Sequence, residues 1–126
     1  MNATDIVTTM LKHSDEGDFD AFRALLDPSC EWVNPVIKAE GADEIAANLA
    51  GFSDAYSQRR HDASLTVESG ETVAVEGVWS ATHESGATVR TPFAAMIQVR
   101  GGRVAAVRVY LDTAAFAAQL GATATA

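Results

Sequence analysis

The sequence predicts an α+β fold: a curved antiparallel sheet wrapped around a long helix as a cone-shaped barrel, with helices on its concave face. Three observations support it. Apolar residues recur about every four positions up to residue 58, and about every two positions from 65 to 111. Short glycine turns join the later segments, without the strand–helix–strand alternation of parallel sheets. A helix closes the chain beside the mouth of the cone, which is a natural place for a pocket.

Three helices are predicted before the period changes. The first covers 4–15 and ends at Gly17. The second begins after Asp18, a good N-cap residue, and Asp27-Pro28 stops it. The third covers about 42–58. Apolar residues at helical spacing indicate these helices: Ile6, Val7, Met10 and Leu11; Phe19, Phe22, Leu25 and Leu26; and Ile45, Leu49, Phe52 and Tyr56.

Five strands are predicted. The first, 30–35, ends at Pro35 and so belongs at an edge or bend. Pro92 interrupts the long strand 87–100 and indicates a bulge or an edge there. Gly101-Gly102 is a two-residue hairpin loop, and a final helix covers 113–119. The other strands are a short one at 65–67 up to the Ser69-Gly70 turn, one at 73–83 and the last at 104–111.

Length and charge restrict the class of protein. The 126 residues form one domain, 1–121, and the Ala/Thr tail 122–126 is expected to fray. A net charge of −8 argues against a nucleic-acid partner. The N-terminus is unlike a secretory signal and no apolar run could cross a membrane, so a cytoplasmic location is expected. Neither a cofactor motif nor metal-ligand spacing among His13, His61 and His83 is present, so the sequence predicts no cofactor and no metal.

The final strand carries a polar row that could form the wall of a small-molecule pocket. Arg108, Tyr110 and Asp112 alternate with apolar residues and so share one side of the strand. Asp112 has two interpretations. It stands where the N-cap of the last helix belongs, and Asp is among the best caps. Alternatively it contacts a ligand in the pocket, where the Tyr110 hydroxyl could orient a substrate carbonyl. Both remain open at this point.

Three stretches resemble one superfamily. They are Glu16-Gly17-Asp18-Phe19-Asp20, Trp32-Val33-Asn34-Pro35, and Gly101-Gly102-Arg103-Val104 continuing through Tyr110-Leu111-Asp112 to Gln119-Leu120-Gly121. With the element order, they resemble the nuclear transport factor 2-like superfamily, and within it the SnoaL-like proteins. The resemblance implies a homodimer paired through the outer sheet face and a pocket for a small hydrophobic organic molecule. In SnoaL-like polyketide cyclases a general-base aspartate shortly precedes a Gln-Leu-Gly helix end, which implies Asp112 as the base.

A second member, ketosteroid isomerase, is a useful contrast. Its catalytic tyrosine, aspartate base and second oxyanion donor fall on Met10, Asn34 and about Ala95 when the chains are aligned by eye. None of these side chains can replace the group it stands for. The resemblance therefore does not extend to ketosteroid isomerase activity.

The remaining candidates each have a structural alternative. Asn34 could bind a ligand or open the Asn-Pro turn, and His61 or His83 could pair with Asp112, as a histidine and an aspartate do in scytalone-dehydratase-like relatives. Further candidate lining residues are Trp32, Tyr56, Arg108, His61, Met10 and Met96. Two functions follow: an acid–base isomerase, cyclase or dehydratase of a small apolar carbonyl or polyketide-like compound with catalytic Asp112 and Tyr110, or a non-catalytic hydrophobic-ligand-binding or dimerisation domain.

Overall fold

The structure is a computed structural model that describes residues 1–35 and 37–124, with side chains to residue 121. Ten elements follow one another in these residues. They are α1 (Ala3–Glu16), α2 (Phe19–Ala24), β1 (Leu26–Val33), β2 (Lys38–Glu40), α3 (Ala42–Ser53), β3 (Tyr56–Ser69), β4 (Thr72–His83), β5 (Thr88–Arg100), β6 (Arg103–Leu111) and α4 (Thr113–Ala124).

The first helix begins and ends as its sequence predicts, whereas the second is shorter than predicted: α2 ends at Ala24, and Leu26, Asp27 and Pro28 already belong to β1. Asn2 and Asp5 form a reciprocal capping box at the start of α1, and Gly17 ends it in the left-handed conformation at φ 74°. The Asp18 side chain accepts the Ala21 amide and caps α2. The chain therefore turns sharply between the two helices, and this turn brings the end of α1 close to the sheet.

The α+β prediction is confirmed, with one difference in the sheet. Six strands lie in the order β2-β1-β6-β5-β4-β3, and the sheet is open between β2 and β3. All pairs are antiparallel except β1 with β6, which is parallel. The predicted series of antiparallel strands joined by hairpins is found only from β3 to β6. β1 pairs with β2 on one side and with β6 on the other, so β2 is the edge of the sheet. The strand ends at Val33 and the chain bends at Pro35, in agreement with the predicted edge or bend at that residue.

Helix α3 is shorter than the predicted 42–58. It ends at Ser53, and Tyr56 already pairs with His83 in the sheet. The apolar stripe crosses this boundary because the Tyr56 ring stacks on Phe52 with 4.8 Å between ring centroids. The apolar spacing typical of a helix therefore continues past Ser53 to Tyr56, although the helix itself ends at Ser53. At the other end of the chain α4 runs to Ala124, and residues 125–126 of the predicted tail lie outside the described residues.

The sheet bends where β3 carries extra residues. Its register against β4 shifts twice, between Ser57 and Arg60 and between Ala63 and Leu65. Gly77 lies opposite the second shift, and a Cβ there would come within 2.1 Å of the Asp62 carbonyl oxygen. The absence of a side chain at Gly77 therefore allows β3 to fold inward over β4.

Pro92 pairs with Val78 of β4 and stands where β5 lacks a strand neighbour on its other side. Beyond the Phe93–Leu111 pair β6 has ended. The Gln119 side chain takes its place: its Oε1 accepts the Arg90 amide at 2.6 Å, and its Nε2 donates to the Arg90 carbonyl at 3.0 Å. Pro92, two residues further along, has the same side of β5 unpaired by β6, so its missing N–H interrupts no strand ladder.

Candidate functional site

The concave face of the sheet carries the side chains that could form a site. Cross-strand pairs place His61 beside Trp79 and Trp79 beside Thr91, in one row across β3, β4 and β5. The deeper part of this face is filled by the core, which is packed against α1, α2 and α3. Its largest fully buried side chains include Phe22, Met10, Leu26, Ile45 and Ile97.

His61 and Asp15 form the most developed polar contact of this face. The Asp15 carboxylate accepts the ring Nδ1 of His61 at 2.5 Å and its backbone amide at 2.9 Å. The His61 ring stands edge-on to Phe93, with ring centroids 5.4 Å apart. Both polar side chains are about one-fifth exposed, so the pair is sheltered and still reachable from solvent.

This contact defines the tautomer of the neutral imidazole. Since the carboxylate can only accept, Nδ1 carries the hydrogen and Nε2 is the basic nitrogen. In the described part of the chain Nε2 has no hydrogen-bond partner. The bond from the backbone amide holds the carboxylate in line with the strand, so Asp15 can fix the orientation of the ring.

Asp15 was missed in the sequence analysis, although the sequence holds a signal for it. It continues the stripe of Val7 and Leu11 at a spacing of four residues, on a helix face that otherwise packs inward. It also lies in the last turn of α1, where the helix dipole disfavours a negative charge. A carboxylate in such a place requires a tertiary partner, and that partner is His61.

The predicted pairing of a histidine with Asp112 is wrong for both histidines. His61 is bound by Asp15. His83 uses its Nδ1 in the turn after β4, where it contacts the Ser85 hydroxyl at 2.8 Å and accepts the Ser85 amide. Asp112 itself is exposed and accepts the Ala115 amide at 3.0 Å, so the capping interpretation is confirmed.

The polar row of β6 lies on the opposite side of the sheet from the core. Arg108 pairs with Met96 and Tyr110 with Ala94 on the outer face, and Tyr110 is 55% exposed. The predicted alternation of polar and apolar residues along β6 is correct. The polar row was predicted to line the pocket, however, and this prediction is wrong because the row lies on the outer face. Val107 and its apolar neighbours on the other side of β6 are packed in the core, which leaves Arg108, Tyr110 and Met96 away from the concave face.

Three further candidates are part of the fold. Met10 is fully buried in the core, and Trp32 is buried there against Phe22. Asn34 opens the turn before β2: its Oδ1 accepts the Ile37 amide at 2.7 Å, and its backbone amide donates to the Ile37 carbonyl. The Asn-Pro turn interpretation of Asn34 is therefore confirmed.

Tyr56 belongs to an aromatic cluster at the mouth of the cone, which we define as Phe52, Tyr56, Trp79, His83 and Phe116. Each ring lies within 6.5 Å, centroid to centroid, of at least one other. Burial raises the pKa of the Tyr56 phenol, which therefore stays protonated. Trp79 joins this cluster to the row of His61 and Thr91.

A cleft of about 410 Å³ opens between the turn after α1 and the end of α3. Arg59 lines it, and one guanidinium nitrogen donates to the carbonyls of Ser53 (3.2 Å) and Tyr56 (2.6 Å). Arg59 also lies against Gly17, two residues beyond Asp15. The cleft therefore lies along the turn that follows Asp15, and neither Asp15 nor His61 is among its lining residues.

Comparison with known proteins defines the class. The family model of the SnoaL-like domain matches residues 7–107. The chain therefore belongs to the SnoaL-like family, within the nuclear transport factor 2-like fold. No functionally curated protein matches the sequence. None of the described helices is long and apolar enough to cross a membrane.

Solved structures share the fold at low sequence identity. A putative polyketide cyclase from Xanthomonas campestris is 24% identical, with a TM-score of 0.86 over 94% of this chain and 96% of that one. An LEH-like epoxide hydrolase of Mycobacterium tuberculosis is 18% identical, with a TM-score of 0.84 over 98% of this chain and 92% of that one. A ketosteroid isomerase-like protein from Catenulispora acidiphila, in complex with trimethylamine, is 21% identical, with a TM-score of 0.83 over 92% of each chain.

Proposed function

We propose that this SnoaL-like protein is an acid–base enzyme acting on a small apolar carbonyl or polyketide-like compound, with His61 as the proton-transferring residue. The observation that carries the proposal is the double hydrogen bond from His61 to Asp15. His61 Nε2 would take a proton from the carbon next to a carbonyl and return it elsewhere on the substrate or product. Asp15 would hold the Nδ1–H and stabilise the imidazolium that forms. Isomerisation, cyclisation and dehydration all require such a step.

His61 replaces Asp112, our sequence-based candidate for the base. The Asp112 carboxylate faces solvent and already accepts a helix N–H, so it is well solvated and poorly placed to act in a sheltered pocket. Tyr110 lies on the outer face and cannot orient a molecule bound beside His61. Within the concave face, the Tyr56 phenol and the Arg59 guanidinium are the donors nearest to the mouth and the cleft.

The substrate class is supported by the walls of the site. Apolar rings line the mouth of the cone, which suits a molecule with apolar carbon and few polar groups. Structural relatives include putative polyketide cyclases and an epoxide hydrolase. We propose no cofactor, because proton transfer by His61 needs none.

A second function, non-catalytic binding of a hydrophobic ligand or pairing of chains, is favoured by one observation. The deep end of the cone is filled by Met10, Phe22 and Trp32, so a ligand is limited to the mouth. In that case His61 and Asp15 would be a structural pair between α1 and β3.

We also propose a homodimer paired through the outer sheet face, with the cytoplasm as its location. Like Tyr110, the side chains of Leu65 and Val67 are about half exposed on this face. They adjoin Ala74 and, one strand further, Met96. An apolar sheet face of this kind normally packs against something, and a second copy is the partner implied by the resemblance. Cys30 is buried and forms no disulfide, which is typical of proteins in a reducing compartment.

A generic base assay tests the enzyme proposal without knowledge of the substrate. The compound 5-nitrobenzisoxazole opens to a coloured phenolate when a base removes its ring proton, so its rate reports a reachable base. We expect His61→Gln and Asp15→Asn to lower the rate about 100-fold or more. Asp43→Asn and Asp112→Asn, at two exposed carboxylates, are the matched controls and should leave it unchanged. Equal rates for His61→Gln and the parent protein would sink the proposal and favour the binding domain.

A further inference from the structure

Thr91 carries a buried hydroxyl without a hydrogen-bond partner. The residue is 1% exposed, and its Oγ1 has no partner among the described residues. A hydroxyl left unpaired in an apolar interior is unfavourable, because it loses its hydrogen bonds to water without replacing them. Valine has the same shape and would avoid this loss. The hydroxyl is therefore explained best by something that binds to it.

The position of Thr91 indicates what that is. It lies in the row of His61 and Trp79 on the concave face, two strands away from His61. Neighbouring strands are ~4.8 Å apart, so the Cα atoms of His61 and Thr91 are separated by roughly 10 Å. Trp79 lies between them. Two polar groups thus stand at the two ends of a flat aromatic side chain.

The Phe116 ring of α4 shows how a flat molecule would lie there. Its plane is tilted by 33° from that of Trp79, with 5.9 Å between ring centroids. Phe52 and Tyr56 flank it at 6.5 and 6.2 Å. Phe116 is only partly buried, and it belongs to the last helix of the chain. A planar ligand on Trp79 would take the place of this ring.

We propose that Thr91 is a ligand-binding residue, and that the site takes a planar ring compound with an oxygen substituent at each end. One oxygen exchanges a hydrogen bond with Thr91 Oγ1, the other faces His61 Nε2, and the ring stacks on Trp79. This inference rests on the proposed function, since it places the reacting end of the substrate at His61. It adds the substrate class: a one- or two-ring aromatic or polyketide-derived compound oxygenated at both ends.

The test is a binding measurement that needs no turnover. The chain has two tryptophans, so its indole N–H signals in a ¹⁵N-correlated NMR spectrum number two, with Trp32 as an internal reference. The probes are 2,6-dihydroxynaphthalene, which has an oxygen at each end, and 2-naphthol, which has one. Each is titrated against the parent protein and against Thr91→Val, which keeps the shape and removes the hydroxyl.

We expect the dihydroxy compound to move the Trp79 signal and not that of Trp32. Thr91→Val should weaken its binding about three- to tenfold, the effect of one hydrogen bond, and leave the binding of 2-naphthol nearly unchanged. The melting temperature of Thr91→Val should be equal to that of the parent or higher, because the unpaired hydroxyl is gone.

Two results would overturn the proposal. One is equal binding of the dihydroxy compound to Thr91→Val and to the parent protein. The other is a Trp79 signal that neither compound moves. Neither result bears on the base assay with His61→Gln and Asp15→Asn, so failure of this site and failure of the proposed function can be told apart.

Discussion

Asp15, in the last turn of α1, accepts hydrogen bonds from both the ring and the backbone of His61, 46 positions further along the chain. Few other polar side-chain contacts join α1 to the sheet, so this pair fixes the end of the helix over β3. The negative end of the helix dipole opposes the charge of Asp15, and the two donors of His61 offset that effect.

Loss of the carboxylate should therefore weaken the fold. We expect Asp15→Asn to lower the free energy of unfolding by about 1–2 kcal/mol, because a charged acceptor is lost from two hydrogen bonds. Urea unfolding followed by circular dichroism measures it. Asp43→Asn is the control, since Asp43 is exposed and its ion pair with Arg23 spans 3.5 Å at the surface. A cost no larger than that of the control would contradict the role given to Asp15.

Asp112 offers a contrasting pair of substitutions. Asn caps a helix about as well as Asp, and Ala does not. We expect Asp112→Ala to cost about 1 kcal/mol of α4 stability and Asp112→Asn only a few tenths. Hydrogen exchange of the α4 amides is the appropriate measurement, because α4 can open without global unfolding. Similar exchange in both variants would mean that the side chain acts by charge and not as a cap.

Gly77 should tolerate no side chain. A Cβ would lie 2.1 Å from the Asp62 carbonyl oxygen, which belongs to backbone and cannot rotate away. We expect Gly77→Ala to destabilise the protein by more than about 3 kcal/mol. Gly51→Ala is the control: nothing lies within 4 Å of its Cβ position in α3, so this substitution should stabilise by about 0.5 kcal/mol. A stable Gly77→Ala protein would mean that β3 does not fold over β4 as described.

Cys30 predicts a pH dependence at the alkaline end. Burial, with smaller contributions from Asp27 and Glu31, raises the pKa of the thiol from 9.0 to about 11. The unfolded chain therefore loses the proton first, and the stability from Cys30 is complete below pH 9 and lost between pH 9 and about 11. Denaturant unfolding at pH 8 to 10 should show this decline, and Cys30→Ala should flatten it. Burial of Tyr56 acts in the same direction, so Tyr56→Phe is measured alongside.

The proposed dimer can be tested at its centre. We expect Ala94→Arg to convert a dimer to a monomer, since the added charge would face the partner copy beside Tyr110. Sedimentation at micromolar concentration distinguishes the two states. Ala47→Arg is the control, because it makes the same substitution at an exposed position of α3, on the other side of the sheet. A parent protein that sediments only as a monomer would refute the interface.

The sequence predicted the elements of the fold better than the side on which the site lies. Period and glycine turns located most of the helices and strands, because these signals are local. Which face of β6 meets the core is decided by tertiary packing: the apolar row with Val107 is buried there, so Tyr110 lies on the outer face and not in the predicted pocket wall. The spacing of Asp15 in α1 indicates that it needs a partner, but no spacing could identify that partner as His61, 46 positions further along the chain. The sequence allowed two interpretations of Asp112, and the helix that begins directly after it favoured the N-cap interpretation.

The Gln119 amide has a consequence for how this protein behaves among its own copies. A carboxamide presents one donor and one acceptor, as a peptide group does, so Gln119 serves as a single residue of a seventh strand against Arg90. When α4 detaches, bare backbone becomes available for another chain to join. Pro92 keeps that opening short, because no ladder can propagate through a residue without an N–H. We therefore expect that transient detachment of α4 does not lead to aggregates in which β-strands of different copies pair.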